Sequence, residues 1–295
     1  MARLARRALL AGLAAGLAVP RARAATDAWV VSPAEARALI ADGALVLDAR
    51  AERLRWWSPV AGAVPVEWRG FTEPQAPHQG RLLADDAELS RRLQALGLRA
   101  AQPVVVLGDP LRGWAEDGRI VWMLRALGHG QAAAVDGGLP ALLAAGMPAI
   151  AAPQLPGDFV VARRAELEIT REEMRARLGG SDLVILDARE PREYVGQSPY
   201  GESRGGHLPG ARSLPHRSLL AADGTLLPAD ELRARLAALG VGPGTEVVAY
   251  CTGGVRSGWV TAVLNDLGIP ARNYAGSMLE WAAGDPAAYP LTAAE

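Results

Sequence analysis

Apolar positions along the chain fall into two rhythms. In "TREEMRARL" (170–178) and "LPADELRARLAAL" (227–239) they recur at helical spacing, with charges between them. In "LVILDA" (183–188) and "EVVAY" (246–250) they run unbroken and are rich in β-branched residues, as in strands buried on both faces. Helices begin where capping boxes stand, at Ser32 with Glu35 and at Thr170 with Glu173. The alternation predicts an α/β fold, a central and mainly parallel sheet covered by helices on both faces.

The rhythm is written twice. The capping boxes are offset by 170 − 32 = 138, and the aspartates of "LVLDAR" and "VILDAR" by 187 − 48 = 139. "GAVP" from Gly62 then parallels "GHLP" from Gly206, and "ALG" from Ala95 parallels "ALG" from Ala238. "PVVVLGD" parallels "EVVAYCT", and Leu127-Gly128 parallels Leu267-Gly268. Six stations in one order imply two copies of one domain, at about 26–150 and 158–295, joined by an exposed linker over 151–157.

The copies differ in chemistry. Aligning the strands sets Gly108 opposite Cys251, and aligning the turns sets Ala63 opposite His207. The first copy also has three extra residues in the following loop, since the offset falls from 251 − 108 = 143 to 268 − 128 = 140. A copy without the thiol or the histidine is expected to be catalytically silent and to form one wall of a cleft. Its tryptophans Trp56, Trp57, Trp68, Trp114 and Trp122 are expected in core or inter-domain packing, with Trp114 sealing the interface.

Composition narrows the class. With 295 residues, 50% hydrophobic content and a net charge of −1, the chain has enough apolar material for two cores and too little positive charge for a nucleic-acid partner. All 31 basic residues are arginine, and a single cysteine excludes an intramolecular disulfide framework. Residues 1–24 have a basic start, a short apolar core from Ala8 to Val19 and an Ala22-Arg23-Ala24 cleavage pattern. With the Arg6-Arg7 pair they predict a twin-arginine-like export signal, a periplasmic mature protein and no stable membrane anchor after cleavage.

The one thiol stands at a strand end, in "VVAYCTGGVRSGW". Gly253 and Gly254 let the loop curl so that successive N–H groups turn toward one point. The helix that follows adds its positive end and Arg256 adds a full charge, which predicts a stabilised Cys251 thiolate.

"LDAREPREY" (186–194), "GHLPGA" (206–211), "CTGGVRS" (251–257) and "YAGSMLEW" (274–281), in this order, resemble tandem-domain rhodaneses, which are sulfurtransferases. The resemblance implies two rhodanese-like domains. Sulfur would pass from thiosulfate, or from 3-mercaptopyruvate, through a Cys251 persulfide to cyanide or a thiol, with no metal or organic cofactor. Thr252, Gly253, Gly254, Val255, Arg256 and Ser257 would cradle the persulfide. Four residues separate Cys251 from Arg256, whereas cysteine-dependent phosphatases and arsenate reductases of similar fold place five, so sulfur transfer is favoured over phosphoester chemistry. Arg204, and after it Arg192, match regions where relatives bind substrate; Glu193 stands where many carry an arginine. Asp187, Arg189 and His207 are read as supporting residues, since the silent copy retains Asp48 and Arg50. The alternative is a noncatalytic carrier that hands its persulfide to a periplasmic protein acceptor.

Overall fold

A computed structural model describes residues 27–293; the export-signal reading of residues 1–24 lies outside them. Two sheets are present among the described residues. The first contains β1 (Val30–Val31), β2 (Leu45–Asp48), β3 (Val64–Pro65), β4 (Val104–Leu107) and β5 (Ala132–Val135), in the order β1-β5-β4-β2-β3. Its helices are α1 (Pro33–Ala41), α2 (Glu52–Trp57), α3 (Asp86–Ala95), α4 (Glu116–Ala126) and α5 (Gly138–Ala144). The second half has α6 (Arg171–Arg177), β6 (Leu183–Asp187), α7 (Pro191–Tyr194), β7 (Arg212–Ser213) and α8 (Ala229–Ala238). These are followed by β8 (Glu246–Tyr250), α9 (Val255–Asp266), β9 (Ala271–Asn273) and α10 (Ser277–Ala282), with sheet order β7-β6-β8-β9.

All pairings between these strands are parallel, and the registers match across the repeat: Asp48 lies opposite Leu107, and Asp187 opposite Tyr250. The Asp-Ala-Arg turns and the cysteine loop therefore leave their sheets on the same edge, the carboxyl ends of the strands. Both capping boxes form, with Ser32 Oγ accepting from Glu35 N and Thr170 Oγ1 from Glu173 N. The second sheet keeps only a one-residue remnant of the edge strand β1. Glu168 bridges Asn273, and Ile169 N–H donates to Asn273 O at 3.2 Å.

Both sheets are covered on both faces. In the first, Leu45, Leu47, Val104 and Val106 face one apolar core, and Val46, Val105 and Leu107 face another. In the second, Val247 and Ala249 join the first of these cores, while Val248 and Tyr250 face a third. One core is thus continuous between the two sheets, and it runs through α4 and α9. These are equivalent helices, both almost wholly buried, that pack on each other. Gly118 and Gly258 are equivalent by 258 − 118 = 140 and sit at the crossing. A Cβ on Gly118 would meet Trp259 Cα at 2.6 Å, and one on Gly258 would meet Arg119 Cα at 3.0 Å. The repeat therefore pairs with itself, each copy offering the other a side-chain-free patch. Trp122 Nε1 crosses the junction to Leu167 O at 2.8 Å, and Asp266 Oδ1 accepts from Trp29 N at 2.7 Å.

The tryptophans divide. Trp122 is buried in the shared core as expected. Trp56 and Trp57 correct the packing expectation, being 79% and 81% exposed. They end a six-residue helix with no buried position, and α2 is too short to turn both rings toward the sheet.

Candidate active site

Cys251 follows the last residue of β8, and its thiol is 1% exposed at the floor of a cavity of about 230 Å³. Its own N–H donates to Ser277 Oγ at 3.1 Å, while Met278 N–H and Leu279 N–H hold the carbonyls of Cys251 and Thr252. The start of α10 thus fastens the backbone on either side of the thiol. Gly254 turns the chain at φ 79° in the left-handed region, and a Cβ there would meet Ala275 O at 2.6 Å. Ser257 Oγ–H donates to Sγ at 3.5 Å. Burial pushes the thiol up, but the Arg256 charge, the Ser257 hydroxyl and the N–H groups of Ser257 and Gly253 outweigh it. The net position is below the ordinary 9.0.

Arg256 is not a free cation. Its Nη1 and Nη2 donate to Glu193 Oε2 and Oε1 at 2.6 and 2.8 Å, and Nη2 reaches Thr252 Oγ1 at 2.7 Å. Both side chains of the pair are buried, at 5% and 0% exposure. Thr252 Oγ1 lies 2.9 Å from Glu193 Oε1 and 3.1 Å from Glu202 Oε1, so the hydroxyl links the Arg256–Glu193 pair to a second carboxylate. Glu193, read from the sequence as a departure from the family, is the residue that anchors Arg256.

Arg204 corrects its expected substrate-binding role. Its Nε donates to Ala282 O at 2.8 Å, and its Nη2 reaches the carbonyls of Trp281, Gly284 and Tyr289 at 3.0 to 3.2 Å. Carbonyls at the end of α10 and in the segment after it occupy its Nε and Nη2. Arg192 is exposed, paired with Glu190 at 2.7 Å and bonded to Tyr200 Oη at 3.2 Å, so it touches the rim only through Tyr200. Asp187 and Arg189 form a buried pair at 2.6 Å that also takes Tyr250 Oη and Gly206 O. Asp48 and Arg50 repeat the pair at 2.6 Å, so it belongs to the scaffold of both copies. His207 stacks on Tyr194 with centroids 3.8 Å apart, and its Nδ1 lies 2.9 Å from Tyr194 O, a turn-forming role.

The rest of the cavity wall was not legible from the loop. Trp68, Arg69, Trp114 and Glu116 come from the first copy, and Tyr200 and Leu279 from the second. Trp114 meets Tyr200 edge to face at 5.6 Å, and both rings lie beside Arg256 Cζ, at 5.4 and 5.6 Å. The lengthened loop therefore builds the mouth of the site as well as meeting the other domain. Beneath Trp114, burial and the charges of Arg256 and Arg217 hold His216 down at about 3, so its imidazole is neutral. A larger groove, about 950 Å³, lies at the opposite ends of β8 and β9 and contains no cysteine.

The silent copy fills its vacant thiol position. A Cβ on Gly108 would meet Asp117 Oδ2 at 2.1 Å, and Asp117 is the equivalent of Ser257 by 257 − 117 = 140. Burial, joined by the charges of Glu116 and Asp109, pushes this carboxyl from 3.8 to about 7. The folded protein therefore holds a proton there that the unfolded chain releases near pH 4. The associated stability is complete below that pH and lost as pH rises through about 7. Asp117→Asn is expected to stabilise the protein at pH 8 by about 2 to 4 kcal/mol and to flatten the pH 4–7 slope in thermal melts. An unchanged slope would place the proton elsewhere.

Residues 170–284 match the family model for the rhodanese-like domain. The chain is 34% identical over 225 residues to a thiosulfate sulfurtransferase of Pseudomonas aeruginosa, covering 72% of this chain and 80% of that one. It is 38% identical over 204 residues to a probable 3-mercaptopyruvate sulfurtransferase of the same organism, covering 68% and 71%. A solved 3-mercaptopyruvate sulfurtransferase from Leishmania major shares the fold, with a TM-score of 0.70 at 23% identity over 86% of this chain and 74% of that one.

Proposed function

The chain belongs to the rhodanese-like sulfurtransferase family, and on that premise we propose that it moves a sulfane sulfur through a Cys251 persulfide. The donor is thiosulfate or 3-mercaptopyruvate, and the acceptor is cyanide or a thiol. The observation that carries this reading is a thiol held below its ordinary range at the floor of a cavity, inside a curl of N–H donors. In the first half, the thiolate attacks the outer sulfur of the donor and an Sγ–S bond forms. The donor's bond to that sulfur breaks, and its electron pair leaves with sulfite or with the enolate of pyruvate, which then takes a proton. In the second half, the acceptor attacks the outer sulfur and the Sγ–S electron pair returns to Cys251 as thiolate.

Both donors are anions and need a cation. Arg256 is held by Glu193, whereas the Arg69 guanidinium at the cavity forms no salt bridge among the described residues, its charge reaching Glu116 only beyond contact, and lies 4.4 Å from the Trp68 ring centroid. In this reading the silent domain supplies the donor's charge partner. The carrier reading, in which the persulfide is handed to a protein acceptor, is favoured by one observation. Glu193 and Glu202 leave the loop poor in net positive charge for a small dianion.

The test is intact mass after incubation with thiosulfate or 3-mercaptopyruvate, followed by cyanide. A gain of one sulfur, then its loss with thiocyanate released over many cycles, is the expected result for the enzyme. Loading without turnover selects the carrier, and no loading from either donor overturns both. The export of the mature chain to the periplasm is likewise our proposal, resting on the pattern of residues 1–24. Recovery of uncleaved protein only from the cytoplasmic fraction overturns it.

A further inference from the structure

Arg119 is fully buried in α4 of the silent domain, and the mechanism above makes no use of it. No carboxylate lies within salt-bridge distance of it among the described residues, an expensive state for a charge. Its environment is instead aromatic and carbonyl. Its Cζ lies 4.6 Å from the Trp122 centroid and 5.7 Å from that of Trp68, and its Nε has no partner. Its two remaining nitrogens reach into the cysteine loop and its support. Nη1 donates to Gly254 O at 3.1 Å, and Nη2 donates to Gly80 O at 2.7 Å.

Both carbonyls matter to the thiol. A trans peptide is planar, so its C=O and the next N–H point in opposite directions. Gly254 O already accepts from Gly258 N–H at 3.2 Å as α9 begins, and Arg119 adds a second donor to it, which fixes the Gly254-Val255 peptide and so the direction of the Val255 N–H, opposite to that carbonyl. Asn273 Nδ2 assists on the same carbonyl at 3.2 Å. Gly80 lies flush on the loop: a Cβ there would meet Ala275 O at 2.1 Å and Gly253 O at 2.9 Å. The silent domain thus presses Gly80 against the loop and clamps both partners with one guanidinium.

We propose that Arg119 is a positioning residue for the sulfur-transfer site, supplied by the silent domain, which orients the Gly254-Val255 peptide and lends its charge to the Cys251 thiolate and persulfide. The repeat then has a chemical reason to stay attached: the active copy's loop is incomplete without the other copy's helix. Other groups around the thiol are Arg256 and Ser257 on α9, Glu193 on α7, Glu202 and Tyr200 on the following loop, neutral His216, and Arg69 and Glu116 of the first copy. Among these, Arg256 is the charge that lowers the thiol most, and it is itself paired with Glu193. Arg119 therefore stands as a buried positive charge that no carboxylate offsets at contact distance. Burial lowers the Arg119 pKa to about 10, and the charges of Glu168 and then of Cys251 act to raise it.

The inference rests on Cys251 as the sulfur carrier, and its test reads the thiol without requiring turnover. The rate of Cys251 alkylation by iodoacetamide, a neutral probe, is followed against pH in the full-length protein. Arg119→Met is expected to raise the titration midpoint by about one pH unit and to slow alkylation near neutrality about tenfold. Where sulfur transfer is active, kcat should fall about tenfold with the donor KM within about twofold of native. Arg119→Lys, which keeps the charge, should stay within about 0.3 pH units of native. Should the methionine variant not fold, Arg119→Gln replaces it, with the same expected rise. A neutral variant that melts as the native protein does and titrates at the native midpoint overturns the proposal, as does a lysine variant that behaves like the neutral one. Failure of native protein to load sulfur would overturn the function and leave the titration result standing.

Discussion

Serine at position 251 is expected to abolish sulfur loading, with any residual transfer at least about a thousandfold below native. A hydroxyl keeps the shape of the thiol but stays protonated at neutral pH, so the curl of N–H donors has no anion to hold. Intact mass after thiosulfate treatment checks the loss, and one added sulfur on Cys251→Ser would sink the persulfide reading. Stability should change as well, with a definite sign. The folded-state thiol lies below its ordinary 9.0, so ionisation of Cys251 contributes stability that is present above that value and lost as pH falls through the folded midpoint. Native protein should therefore gain stability over the serine variant as pH rises toward 9, seen as a widening gap in melting temperature. The equivalent place in the silent copy has the opposite slope, because Asp117 is buried beside other acids whereas Cys251 is buried beside Arg256. One fold position, occupied in two electrostatic settings, titrates in opposite directions.

The parts of this site that lie together in the chain were legible in the sequence, and the parts that meet only through the sheets were not. Residues 251–257 carry the cysteine, the glycine pair and Arg256 in one segment, and the loop folds as that composition requires. Both capping boxes and the four quoted helix and strand segments appear within a residue or two of their expected places. Glu193 was visible as a departure, but its contact with Arg256, 63 residues away, depends on β6 lying beside β8. Trp68, Arg69 and Trp114 reach the cavity only because α4 and α9 pack together, bringing the copies' loops to one side. A signal for that packing did exist: Gly118 and Gly258 fall at equivalent places inside two apolar helices, where a glycine is costly unless another backbone comes close. The binding of Arg204 was not legible, because the family resemblance concerns the region before "GGHLPG" and not the carbonyls at and after the end of the last helix that this side chain meets.

Glu193→Ala is expected to cost about 3 to 5 kcal/mol of stability, because it strands the buried Arg256 guanidinium without its bidentate partner. Chemical denaturation at neutral pH checks this, and a loss under about 1 kcal/mol would mean that Arg256 finds water or Glu202 in its place. Glu193→Gln separates the fold from the chemistry. The amide keeps an acceptor for Arg256 and a contact to Thr252, so less stability is lost, while the negative charge is gone. Burial raises Glu193 and Arg256 lowers it further, leaving it below its ordinary 4.5 and ionised at neutral pH. Its removal therefore frees about one unit of positive charge beside the thiol. The thiol midpoint should fall, and the KM for thiosulfate should fall about tenfold while that for an uncharged acceptor thiol is little changed. An unchanged thiosulfate KM would mean that charge freed at Arg256 adds nothing to the contact that Arg69 makes with the donor. Arg69→Gln then carries the decision: a raised donor KM with an unshifted thiol titration assigns the donor to the silent domain's side of the cavity.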